Sequence, residues 1–423
     1  MATDATRKAA EALLHALALP EGEAGWVRER RAAARTRLFE AGAPMRRDEY
    51  WRFTDPARLT APLALAGAGD APAQAAAAFA GIDAVRVRMV NGRLRPDLSD
   101  PMEQAGLAIA PLGAVLRQDI SIAREIFGRL EAAGQEKVSR PLAILNTAAA
   151  TEGLAMQAHG AVALPVLIAH DRIGEGASLV RHVVRVEAGA SLTVLEAGVP
   201  TNSVMEVDVA PGGRFHHVRV QTGERAPAAT HLFARIGEGA EFKTFTLTAD
   251  GALTRNEVVI DLAGDHASGH VAGAVLGQGE AHADNTVFVT HSAEHGESRQ
   301  VFKNVLAGRS RGIFQGKIFV RKGAQKTDGY QISQSVLLDE GAQFLAKPEL
   351  EIYADDVKCS HGSTTGALDA TALFYLRSRG VPKRVAEAML VEAFVDEAVA
   401  EIADQGLQDR VRALVADWMA GRA

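Results

Sequence analysis

The sequence predicts a mainly β protein in which a long β-solenoid core is flanked by α-helical regions at its N- and C-terminal ends. Three observations carry that expectation. From about Leu145 to Ile352, short β-branched runs are separated by turns and show no helical stretch. Within that region one pattern returns: an apolar residue, two residues, glycine, a small residue, any residue, then usually an apolar one. Outside it, apolar residues recur at a spacing of three to four.

Taken in order, Ala9, Ala12, Leu13, Ala16 and Leu17 give a first helical stripe, and an Arg-rich stretch from Trp26 to Glu40 gives a second that stops at Gly42. Tyr50-Trp51-Arg52-Phe53-Thr54 is an aromatic cluster suited to closing a small core. Residues Gly67 to Gly81, rich in Ala, Gly and Pro, read as a linker. Val85, Val87 and Met89 alternate as a strand before an Asn91-Gly92 turn, and Ile120 to Ala133 reads as another helix.

The recurring pattern appears at Ile173-Gly-Glu-Gly-Ala-Ser-Leu179, Val186-Glu-Ala-Gly-Ala-Ser-Leu192 and Val209-Ala-Pro-Gly-Gly-Arg-Phe215. It appears again at Ile236-Gly-Glu-Gly-Ala-Glu-Phe242 and Leu338-Asp-Glu-Gly-Ala-Gln-Phe344, and Val320-Arg-Lys-Gly-Ala-Gln-Lys326 lacks only the last apolar residue. Glycine permits a left-handed or close-packed corner, and the flanking apolar residues stack on those of the next coil. The irregular separations exclude a strict short repeat. A β-sandwich would give the same short strands, but recurrent Gly-small corners over so long a region fit a solenoid better.

After Asp369, a suitable N-cap, Leu373, Phe374 and Leu376 form an apolar face, Arg377 and Arg379 suit a helix C-terminus, and Gly380 with Pro382 ends it. Two further helices follow, roughly Lys383 to Ala403 and Leu407 to Met419. The expected regions are therefore 1–140, helical and mixed; 141–368, the solenoid; and 369–423, a helical domain that covers an open solenoid end.

Composition narrows function. With 423 residues and 47% hydrophobic content the chain can bury a large core. A net charge of -6 without long single-sign runs argues against a nucleic-acid partner. Residues 1–20 lack the basic start and apolar run of a signal peptide, and no run of about 18 apolar residues supports a membrane span. The expectation is a cytoplasmic protein. The single cysteine excludes an internal disulfide and a private four-thiolate cluster. Nucleophile elbow, Walker A and dinucleotide fingerprints are missing.

The most informative stretch ends at Cys359-Ser360-His361-Gly362. Leu350, Ile352 and Tyr353 favour an extended run, and Ser360 to Gly366 reads as a turn that exposes His361. Cys359 and His361, at i and i+2, share one side of an extended chain. Thiolate and imidazole are suitable metal ligands, yet two do not close a site. Taken alone, such a pair is more often a packed cysteine and a hydrogen-bonding histidine. His266 with His270, and His282 with His291 and His295, lack a helical zinc-site context and read as structural or surface residues. Asp355 and Asp356, adjacent on a strand, face opposite ways and form no acid/base pair.

This stretch closely resembles the SufD branch of the SufB/SufD family of iron–sulfur cluster assembly scaffold proteins. The likeness is dense in Phe314-Gln315-Gly316-Lys317-Ile318, Ala324-Gln325-Lys326-Thr327-Asp328, Lys347-Pro348-Glu349-Leu350-Glu351-Ile352 and Leu373-Phe374-Tyr375-Leu376-Arg377-Ser378-Arg379-Gly380. It implies a right-handed parallel β-helix that pairs with a SufB-like paralogue. It also implies that the C-terminal helices, carrying Leu373, Phe374, Tyr375, Met389 and Phe394, dock a SufC-like ABC-type ATPase. The paralogue's acceptor cysteine lies near the stretch that here reads Thr327-Asp328-Gly329-Tyr330-Gln331-Ile332-Ser333-Gln334-Ser335, where this chain has serine.

By the same resemblance His361 handles iron or a transient iron–sulfur cluster at the heterodimer interface, as its metal residue, with Cys359 either assisting or only packing. The remaining ligands would come from the partner. The subunit itself would be a non-catalytic scaffold rather than an enzyme. Involvement of reduced flavin and homodimerisation of the isolated chain stay open. Two other classes compete: a carbohydrate-active β-helix, disfavoured by 5% aromatic content, and a metal-free solenoid that only binds a protein.

Overall fold

A computed structural model describes residues 2–17, 20–61, 64–67, 69, 74–174, 176–223 and 226–422. Two helices open the chain. In α1 (Asp4–His15) Thr3 caps the first turn by accepting from the Thr6 amide, and α2 (Gly25–Ala41) ends where Gly42 takes φ 70°. Ala10, Leu13 and Leu38 pack with Ile144 and Leu145. The expected strand and turn follow as β1 (Val85–Val90) and β2 (Arg93–Leu94), with Asn91 and Gly92 both at positive φ. A short antiparallel pair, β3 (Glu103–Gln104) and β4 (Leu107–Pro111), leads into α3 (Leu112–Val115).

Two readings of this region change. The Ile120 to Ala133 patch is not one helix. A 3-10 turn at Ile122–Glu125 and α4 (Arg129–Ala133) are parted by Gly128, at φ 68°, whose amide donates to Glu206 Oε2 at 2.8 Å. The stretch read as a linker includes a packed 3-10 helix, Ala75–Phe79, with Phe79 buried; positions 68 and 70–73 lie outside the described residues. A buried phenylalanine outweighs the Ala/Gly/Pro composition around it.

The solenoid begins after α5 (Pro141–Ala149). Its strands alternate between two sheets: β5 (Leu154–Ala158), β6 (Val166–Asp171), β7 (Leu179–Val186), β8 (Ser191–Ala197), β9 (Asn202–Val209) and β10 (Arg214–Thr222). They continue as β11 (Ala228–Ile236), β12 (Glu241–Ala249), β13 (Thr254–Leu262), β14 (Ser268–Gly277) and β15 (His282–His291). The last are β16 (Glu297–Leu306), β17 (Arg311–Val320), β18 (Asp328–Leu337), β19 (Gln343–Ile352) and β20 (Lys358–Gly366). Odd strands from β5 to β19 pair in parallel in one sheet, and even strands from β6 to β20 in the other. β1 joins the even sheet beside β6, while β4 pairs antiparallel with β5.

The register explains why no strict period is visible. Arg214 pairs with Ser191, 23 residues back, whereas Lys358 pairs with Asp328, 30 residues back. The glycine corners serve different purposes. Gly189, Gly212 and Gly239 hold φ between 59° and 69° and donate their amides to Pro211, Glu238 and Asp265 of the next coil. The same left-handed post is filled by His266, His295 and Lys326 in later coils, at φ 57°, 57° and 61°. Gly341 instead allows close approach, since a Cβ there would lie 2.6 Å from the Gly308 carbonyl oxygen. One sequence pattern thus reports a special φ in some coils and a tight contact in another.

Aliphatic and aromatic side chains pack much of the lumen, among them Val184, Val207, Phe215, Phe242, Ile260 and Phe302. The outer face of the even sheet is covered by α7 (Lys383–Val399) and α8 (Gln405–Gly421), which follow α6 (Ala370–Ser378). Val391, Val395, Leu407 and Val411 pack there against Val218, Phe245 and Leu247. N-terminal segments cover the odd sheet, with Trp51 beneath the Arg255 guanidinium at 4.1 Å from the ring centroid. The helices therefore clothe a flank of the solenoid. Among the described residues no helix is long and apolar enough to cross a membrane.

Candidate functional site at the open end of the solenoid

Both sheets end at the last coil: β19 and β20 close their strand orders, and among the described residues β20 pairs only with β18. The Ser360 to Gly366 stretch, expected as a turn, lies within β20. Pairing with the β18 backbone overrides its Gly/Ser/Thr composition, which matters less on an edge strand. In this register Cys359 stands beside Gly329, and His361 beside Gln331. The column through Phe215, Phe242, Gly269, Ser298 and Gly329 to Cys359 is luminal, as is that through His217, Thr244, Val271, Gln300 and Gln331 to His361. His361 is exposed at the mouth. Cys359 is half-buried against Ile318, Leu350 and Val357, and burial, with a smaller push from Asp328, raises its thiol pKa. It is poised to pack more than to ligate.

Ser333 and Ser335 hydrogen-bond to Ser363 at 3.2 Å and Thr365 at 3.1 Å. On the outer face of the even sheet the C-terminal helices are pinned to the solenoid. Lys303, buried on β16, donates to Gln334 and to Glu397 of α7 and lies 4.7 Å from the Phe394 ring centroid. His270 Nδ1 lies 2.8 Å from Glu401.

The predicted docking side chains divide into two groups. Phe374 (73% exposed), Tyr375 and Met389 face solvent, while Leu373 and Phe394 are half-buried. α6 buries no residue, and Asp369 caps it through the Thr371 and Ala372 amides. Beside Met389 a groove of about 330 Å³ runs between α7 and α8, lined by Val395, Val399 and Val415 with Glu392, Asp396 and Arg412 on its rim.

The other histidines set aside from sequence fall into separate contacts. His266 and His295 stack at 4.6 Å on neighbouring corners, His282 bonds to Thr54, and His291 to Ser298. Sequence reasoning missed a different group. Among the described residues His170, His182 and Glu196 bring ligand-type atoms within 4.8 Å of one another, fully buried in the lumen. Their separations along the chain reflect three different strands, so no local spacing announces them.

Hydrogen bonding argues against a metal there. The Leu154 amide donates to His182 Nδ1 at 3.2 Å, which puts the proton of the neutral ring on Nε2. Burial lowers the His182 pKa to about 3, so the ring is neutral. Burial pushes the Glu196 pKa up, but Arg219 and the bonds from His170 and His217 outweigh it and hold the carboxyl well below its usual range. Arg219 Nε sits 2.9 Å from Glu196 Oε2 and takes the place a cation would need.

Residues 169–394 match the family described as SUF system FeS cluster assembly, SufBD core domain. The iron–sulfur cluster assembly protein SufD of Escherichia coli is 28% identical over 403 residues, spanning 91% of this chain and 92% of that protein. A SufBD family protein of Synechocystis, slr0076, is 27% identical over 416 residues, 91% and 90% of the two chains. SufD of Bacillus subtilis is 30% identical over 162 residues, 38% of this chain and 37% of its own. The chain belongs to the SufB/SufD family of iron–sulfur cluster assembly proteins, and within it is SufD-like.

Proposed function

We propose that this chain is a non-catalytic scaffold subunit of an ATPase-driven complex that builds iron–sulfur clusters. Its open last coil pairs with a SufB-like paralogue, and its C-terminal helices dock a SufC-like ABC-type ATPase. The observation that carries this reading is the bare edge of β20, which presents one unpaired side of backbone together with His361 at the mouth of the lumen. A strand edge of this kind is completed by pairing or covering. His361 then meets ligands from the partner, which accounts for a site that is incomplete in one chain. The cluster or iron is cargo, held transiently by both subunits.

ATP binding would draw two docked ATPases together, twist the paired scaffold and open the interface at His361. Lys303, bonded to Glu397 of α7 and to Gln334 of β18, would give such a motion a path to the strand beside β20. Docking is supported by the exposed Phe374 and Tyr375 on α6 and by the exposed Met389, which lines the α7/α8 groove. Removing the helices would be a poor test, because Phe245 and Leu247 would lose their cover. The test is co-purification with tagged full-length chain. Wild type should retain a cysteine-bearing paralogue and an ABC-type ATPase, and F374A/Y375A/M389A should lose the ATPase alone. Retention of both partners by the triple variant refutes the docking assignment.

A further inference from the structure

The last two rungs of the even sheet present polar side chains to the lumen: Gln331, Ser333 and Ser335 on β18, then His361, Ser363 and Thr365 on β20. The hydroxyls bond to one another. The glutamines do not. Gln331 and Gln300, successive members of the column that ends at His361, are 0% exposed, yet neither the amide nitrogen nor the oxygen of either has a hydrogen-bond partner.

An unmatched buried amide atom forfeits its hydration without compensation, so two complete side-chain amides without partners in one column ask for an explanation. The facing strand is shaped around one of them: a Cβ at Gly316 on β17 would lie 2.4 Å from Gln331 Oε1. Parallel strands are about 4.8 Å apart, which leaves Gln331 one rung inside the exposed imidazole and on the same face.

The geometry points to Gln331 as a second ligand of the His361 site, giving its amide oxygen to a partly hydrated ferrous ion, with Gln300 hydrogen-bonding a coordinated water behind it. This rests on the iron-handling role of His361 and adds to it. Imidazole and a neutral oxygen donor suit a divalent first-row cation. Neither neutralises its charge, so the ion is held weakly and passes on readily, as cargo should. To bind the ion the Gln331 side chain would turn from Gly316 toward the mouth, where its oxygen would gain the partner it lacks.

The test is anaerobic equilibrium dialysis of the full chain, without partners, against ferrous iron. Wild type should bind one ion, H361A should lose that binding, and Q331L should weaken it about tenfold. Q331L should remain folded, because it removes an unmatched amide; Q331N, which shortens the reach and keeps the chemistry, carries the same expectation if Q331L does not fold. Unchanged affinity in the Gln331 variant overturns the proposal while H361A still loses binding. Binding by H361A equal to wild type instead overturns the His361 role beneath it. Lack of iron binding by the wild-type chain overturns the Gln331 assignment and leaves a site assembled wholly across the interface.

Discussion

Replacing Glu257 with glutamine tests the electrostatic clasp that holds the N-terminal region on the solenoid. Glu257, fully buried on the outer face of β13, accepts from Arg255 Nε at 2.6 Å and lies 2.8 Å from Arg140 Nε, an ion contact at the start of α5. Arg255 also donates to Asp284 at 2.5 Å and covers Trp51. Burial pushes the Glu257 pKa up, but Arg255 and Arg140 outweigh it and bring it from 4.5 to about 2. A carboxyl depressed by that much contributes about 3 kcal/mol at neutral pH.

The sign follows from proton binding. As pH falls below about 4.5 the unfolded chain takes up the proton first, so the contribution declines through that range and is gone below about 2. E257Q leaves two buried guanidinium groups short of their counter-charge, and the expected loss is about 3–5 kcal/mol at pH 7. Urea melts followed by tryptophan fluorescence, with Trp51 reporting locally, should show that loss and a difference from wild type that narrows from pH 4.5 downward. A variant as stable as wild type at pH 7, or a difference independent of pH, would refute the reasoning.

Other outcomes follow from the same contacts. Gly153 holds φ 137°, and a Cβ there would lie 1.7 Å from the Arg181 carbonyl oxygen, so G153A should lose more than about 3 kcal/mol in the same melts. H266G should be tolerated at its left-handed corner, whereas H266V, β-branched at φ 57°, should lose about 1–3 kcal/mol; equal stability of the two would remove the conformational argument. K303M should leave the solenoid intact and speed hydrogen exchange in α7 about tenfold, by removing the bonds to Gln334 and Glu397. Unchanged protection of α7 would show that apolar packing alone fixes the helix.

Much of this architecture was legible in residue order. Gly42 ended a helix, Asn91-Gly92 turned a hairpin and Asp369 capped a helix, because each meets a local backbone requirement. The corner glycines disclosed a solenoid, but coils ranging from 23 to 32 residues hid its period. What stayed hidden depends on partners distant in sequence. Ser360 to Gly366 becomes a strand only through β18, and Phe79 is buried only by a sheet formed much later in the chain. His361 was visible as an exposed imidazole near the sole cysteine, yet the glutamine column beneath it exists only once three coils are in register. His170, His182 and Glu196 likewise meet only inside the lumen.

The most direct measurement is the iron and acid-labile sulfide content of the complex purified with wild-type chain and with H361A, alongside its subunit stoichiometry. If His361 handles cargo at an interface between subunits, H361A should retain both partners in the same ratio and carry far less iron and sulfide than wild type. Equal iron and sulfide in the two complexes would contradict the role of His361, and loss of the paralogue in H361A would show that the residue builds the interface instead of serving the cargo.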